Sequence, residues 1–177
     1  MLGLIFSLLG WGKLTFYIVF MKDIFPVISI PKKKNLFFLF IFFLIEEITN
    51  WGAYYLFDLF SPGFANIEEY HKQGLVFTFV LLVVVAPILE TFFAQFFILE
   101  VMRKLKVSAS ISVVIAAVIF GLFHYYNIWY ILATIISGFV FAYYYMALRQ
   151  QGRWNKILLV IALHAMANIV AFFSTYY

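Results

Sequence analysis

Leu158–Ile169 reads LLVIALHAMANI, an apolar run able to lie in a membrane that nonetheless carries His164 and Asn168. On a helix, a spacing of four places both side chains on one face, about one turn apart. An imidazole and a carboxamide at bilayer depth are costly unless they face a polar cavity or each other. Two further apolar runs share the anomaly. Residues 86–95, APILETFFAQ, hold Glu90, and residues 120–127, FGLFHYYN, hold His124. The expectation is that three helices bring Glu90, His124, His164 and Asn168 together around one buried water.

The rest of the chain fits this setting. Of 177 residues, 66% are apolar and 11% charged, against about 25% charged in soluble domains. The excess is too large for a bigger core and points to a lipid-facing surface, hence to a lipid bilayer as the protein's solvent. Long apolar runs recur, as spanning helices require, and the period-2 alternation of a membrane barrel is absent. With no cysteine there are neither disulfides nor thiolate ligands. The formal charge of +4 is spread between apolar runs, which fits anionic headgroups and excludes nucleic acid as a partner. Tyr and Trp near helix ends are interfacial anchors.

The fold class read from this pattern is all-α, a polytopic membrane bundle of about six helices forming one domain over residues 1–177. The expected spans are Leu2–Met21, Asn35–Leu59, Gly74–Lys104, Val107–Tyr126, Ile128–Leu148 and Trp154–Ser174. The first carries Lys13 near its middle and is read as retained rather than as a signal peptide, because it lacks a basic start and an A-x-A site. Residues 64–73 form the longest polar connection, long enough for a short surface helix. The third span is about 45 Å long at helical rise, and Pro87 is its expected bend. Ser108, Ser112, Ala116, Phe120 and His124 recur every four residues on the fourth, a stripe suited to close packing. Gly138 and Ala142 form a small-xxx-small pair on the fifth. Lys and Arg crowd the connections between spans 1–2, 3–4 and 5–6, so those loops are expected in the cytoplasm and the C-terminus outside. The expected location is a bacterial plasma membrane.

Known catalytic patterns narrow the chemistry. There is no HExxH zinc motif, no GxSG serine motif around Ser137, and no glycine-rich phosphate loop. Glu90, His124 and His164 can in principle form a three-ligand zinc site with an open position; otherwise no metal or cofactor is expected.

The three polar runs resemble the motifs of the CaaX protease and bacteriocin-processing (CPBP, or Abi) family, which includes the type II CaaX prenyl endopeptidases. The family pattern is EExxxR, FxxxH and HxxxN on successive membrane helices. This chain has Glu90-Thr91-x-x-x-Gln95, Phe120-x-x-x-His124 and His164-x-x-x-Asn168, all within residues 74–175. The second and third motifs are intact. In the first, Thr91 and Gln95 replace a Glu and an Arg four residues apart. Both charges are lost together, so no unpaired buried charge is left behind. The resemblance implies an intramembrane glutamic endopeptidase acting on a peptide or protein substrate in or at the membrane. Glu90 and His124 would activate a water, His164 and Asn168 would stabilise the oxyanion, and Thr91, Gln95, Phe120 and Asn127 would support the site. Two other classes fit the same residues. One is a catalytically silent relative acting as scaffold or regulator. The other is a small transporter subunit using Glu46, Glu47 and Glu90 as an ion path. On straight helices His124 and His164 would lie roughly 10–15 Å apart in depth, a gap that the fold has to close.

Overall fold

A computed structural model describes residues 25–65 and 74–176, and the regular structure in them is helical. The helices are α1 (Asn35–Asp58), α2 (Leu75–Lys104), α3 (Ala109–Leu122), α4 (Ile128–Ala147) and α5 (Arg153–Tyr176). α1, α2, α4 and α5 are long and apolar enough to cross a membrane, and α3 is a shorter apolar helix. The protein is an all-α integral membrane bundle. Ile48, Val76 and Leu36 are more than 70% exposed, which fits contact with lipid. The expected first span, Leu2–Met21, and residues 66–73 of the polar connection lie outside the described residues.

α4 is the centre of the bundle. It packs against α1, α3 and α5, and supplies buried Phe141, Ala142, Tyr144 and Tyr145 to the main core. Its contact with α3 is closest because the small residues meet large ones. A Cβ on Gly138 would come within 2.9 Å of the Phe120 side chain and 3.0 Å of the Ala117 carbonyl. A Cβ on Gly121 would run into the Ile135 side chain and sit 2.9 Å from the Ile131 carbonyl. Ala117, Phe120 and Gly121 on α3 and Gly138 on α4 therefore belong to one interface.

α2 crosses as one helix with two widened turns, π segments at Leu81–Val85 and Thr91–Phe97. Such bulges relieve mismatches in the hydrogen-bond ladder. Here they flank Pro87 and Glu90, so the proline is accommodated by a widened turn just before it. α2 ends in a left-handed turn at Lys106 (φ 57°), with Val107 N–H reaching Met102 O and Lys106 N–H reaching Arg103 O. These two bonds are the pattern of a Schellman cap. The turn leads straight to Ser108, whose Oγ accepts from Ile111 N–H to cap α3.

Among the described residues, the basic side chains gather at one end of the bundle. Lys156 on α5 binds Glu100 on α2 at 3.0 Å, and Arg103 pairs with the same carboxylate. Gln151 bonds Asn35 and the Ile30 carbonyl, and Arg149 bonds the carbonyls of Val27 and Ile28. An extended segment before α1 is thereby fastened across the end of α4, with Ile30 N–H donating to Ala147 O and Tyr143 Oη–H to Pro26 O.

Gly138→Val is expected to destabilise the protein by about 1–3 kcal/mol through overpacking. Gly52→Ala, on α1 where nothing lies within 4 Å of the added Cβ, is expected to stabilise it by roughly 0.5–1 kcal/mol. Unfolding in detergent, followed by circular dichroism, distinguishes the two.

Candidate active site

α3 decides the depth of the site. The sequence pattern predicts a helix through Tyr126, but the helix ends at Leu122 and His124 lies in the turn beyond it. The reason is local. Phe123 N–H and His124 N–H turn back to Ile119, Phe120 and Gly121, while Asn127 starts the next helix by accepting from Tyr130 N–H at 2.8 Å. His124 Nδ1 lies 2.9 Å from Phe120 O, so the imidazole itself caps a carbonyl of the last helical turn whose backbone partner, Phe123 N–H, is distant at 3.3 Å. Counted from the basic end at 1.5 Å per residue, α3 rises only about 20 Å. It stops within a hydrocarbon core about 30 Å thick. Glu90 lies about 21 Å along α2 from Lys104, and His164 about 16 Å along α5 from Arg153. The expected depth gap is thus closed by the early end of α3 and the return of the chain into the bundle. The turn is held to the protein through His124 and Asn127, whereas Leu122, Phe123, Tyr125 and Tyr126 are more than half exposed.

Three of the four expected catalytic side chains converge. Glu90 Oε2 is 3.5 Å from His124 Nε2 and 3.6 Å from His164 Nε2. Both distances exceed a good direct hydrogen bond, so the carboxylate is locked to neither ring. A carbonyl oxygen only accepts; His124 Nδ1 therefore carries its hydrogen toward Phe120 O, and in the neutral ring Nε2 presents a lone pair toward Glu90. His164 is almost fully enclosed. Its ring stacks on Phe141 at 4.6 Å and meets the edge of Phe120 at 5.6 Å, and its Nδ1 is buried with no hydrogen-bond partner among the described residues. Phe120 also lies 4.9 Å from the His124 ring, so one phenyl group holds both imidazoles.

Asn168 is engaged differently. Its Nδ2 donates to the Leu82 carbonyl on α2 at 2.7 Å. Asn127 caps α4 and donates from Nδ2 to Phe64 O at 2.8 Å, tying the turn that bears His124 to the chain following α1. Thr91 and Gln95 are fully buried on α2, and Thr91 Oγ1 and both polar atoms of the Gln95 side chain have no hydrogen-bond partner among the described residues. The hydrogen-bonded pair that their spacing permits is not made.

Phe141 and Tyr130 line the site without having been singled out in the sequence; the Tyr130 ring lies 5.9 Å from that of His124. Both are aromatics in apolar helices of a chain with 24 Phe and 12 Tyr, and no spacing separates them from the rest. Glu46, buried on α1, faces Ser137 on α4, and its Oε2 has no hydrogen-bond partner among the described residues. The acids of α1 and α2 thus have different partners. Among the described residues, no group of three or more His, Asp or Glu is arranged to hold a metal ion.

A helical membrane bundle with a carboxylate set between two imidazoles at mid-depth has the make-up of an intramembrane protease. Residues 72–170 match the family model described as Type II CAAX prenyl endopeptidase Rce1-like. This is more than half of the chain, which belongs to that family of CaaX-type intramembrane proteases. No curated protein and no solved structure gives a significant match.

Burial of the Gln95 amide without partners is expected to cost stability. Gln95→Met, which fills a similar volume without the polar atoms, should stabilise the protein by about 1–3 kcal/mol, read as a higher unfolding midpoint in detergent.

Proposed function

We propose that the chain is an intramembrane endopeptidase that hydrolyses a peptide bond with a water activated by Glu90 and His124. The observation that carries this reading is the position of Glu90 Oε2, 3.5–3.6 Å from two imidazole nitrogens contributed by different parts of the bundle. Glu90, as carboxylate, takes a proton from the water while the oxygen attacks the substrate carbonyl. The lone pair on His124 Nε2 orients the water's second hydrogen. His164, as the tautomer carrying hydrogen on Nε2, donates to the oxygen that becomes negative, and Asn168 supplies a second amide donor. Glu90 then delivers its proton to the departing amine, and the C–N bond breaks. A base held in an apolar enclosure keeps its proton affinity matched to such transfers, and fixed donors aimed at developing charge lower the barrier most.

The substrate is a peptide or protein segment presented within or at the bilayer. The family points to a farnesylated C-terminal CaaX peptide as the first substrate to test. The crowding of Lys and Arg at one end of the bundle supports that end being cytoplasmic and, with it, a C-terminus outside.

In liposomes, Glu90→Gln and His124→Ala are expected to lower kcat for the farnesylated peptide by more than 1000-fold at unchanged helicity, and His164→Ala by about 100–1000-fold. Cleavage is expected to withstand phenanthroline and EDTA, because no step proceeds through a metal ion. Parental cleavage by Glu90→Gln would overturn the assignment.

A further inference from the structure

The Leu82 carbonyl on α2 is bound from another helix, and the cause lies in the chain five residues later. In the π segment Leu81–Val85, backbone donors reach back five residues, and Ala86 N–H bonds Leu81 O. The next donor in that register belongs to residue 87, which is proline and has no N–H. Leu82 O is therefore left over. A carbonyl deprived of its ladder partner at membrane depth must be satisfied from elsewhere. Asn168 Nδ2 does this at 2.7 Å.

The bond joins the two elements of the site that must be held in register. Glu90 follows Pro87 by three residues and Leu82 by eight, about 12 Å along α2, and Asn168 follows His164 by four on α5, so the tether fixes α2 to α5 about two turns beyond the carboxylate and one turn beyond the buried imidazole. It also determines which end of the Asn168 amide faces Leu82. The carbonyl accepts, so the nitrogen faces it, and one of its two hydrogens stays uncommitted.

We propose that Pro87 is a positioning residue: by withholding an N–H from Leu82 O it leaves that carbonyl to Asn168, and the resulting tether sets the register of Glu90 against His164. The role in catalysis rests on the function proposed above; the tether itself does not.

Three measurements on the full chain in liposomes test it. With Leu labelled at 13C′ and Asn at side-chain 15N, a solid-state dipolar contact present in the parent and absent in Asn168→Ala identifies the bond. It is expected to disappear or weaken strongly in Pro87→Ala, where the new N–H competes for the carbonyl. In a thermal cycle, Asn168→Ala is expected to lower the midpoint by about 3–6 °C in the parent and by less than half as much in the Pro87→Ala background. With the farnesylated peptide, Pro87→Ala is expected to reduce kcat about 10–100-fold with little change in KM, and the double variant to be no slower than the slower single one. A contact that persists in Pro87→Ala, together with additive losses in midpoint and kcat, overturns the proposal. Glu90→Gln separates the two readings. If it cleaves normally, or if the parent does not cleave at all, the catalytic reading fails, while the contact and the thermal coupling still decide the tether.

Discussion

A carboxylate surrounded by hydrocarbon has to find polar company, and in this bundle Glu90 finds it in two imidazoles. The requirement acts on several elements together. α2 must present Glu90 inward, α5 must present His164 at nearly the same depth, and the chain after α3 must turn back before leaving the membrane. Phe120 connects these demands. Its ring packs between the two histidines, its carbonyl receives His124 Nδ1, and its side chain occupies the space that Gly138 leaves open on α4. The tight packing of α3 on α4 and the geometry of the site are thus parts of one arrangement.

The irregular backbone lies where the polar groups lie. α2 is widened on either side of Glu90, and α3 stops short of the turn that carries His124. A regular helix satisfies its own backbone and offers nothing to a neighbour. At two of these irregularities a side chain reaches a backbone carbonyl: His124 at Phe120 O and Asn168 at Leu82 O. At this depth water is not a ready substitute partner, so such pairings weigh more than they would at a soluble surface. Thr91 and Gln95 are among the exceptions, with His164 Nδ1. The first two sit fully buried beside Glu90 with polar atoms unpaired, and nothing in the surrounding packing explains why polar residues stand there.

Much of the architecture was legible in the chain. The apolar runs marked the spans from Asn35 onward to within a few residues, because the need to fill a hydrocarbon layer with self-satisfied backbone leaves a strong compositional signal. Polar residues out of place in those runs marked Glu90, His124 and His164, and the structure brings both imidazoles within 3.6 Å of one Glu90 oxygen. Phe141 and Tyr130 were not legible. An aromatic that lines a site and one that faces lipid look alike in a sequence where both are common.

What the sequence by itself determined was the solvent, the helices and the identity of the polar residues needing partners, since each follows from the cost of placing a given side chain in an apolar medium. Only the tertiary structure decided their depth and pairing. A helix through Tyr126 would have carried His124 away from His164. It ends at Leu122 through local bonds, from His124 to Phe120 O and from Tyr130 N–H to Asn127, and Asn127 Nδ2 then fixes the turn to Phe64 O after α1. Likewise, His164 and Asn168 look equivalent as two polar residues on one helical face. Asn168 goes to Leu82 because a proline on another helix left that carbonyl without a donor, a circumstance that no spacing along α5 records.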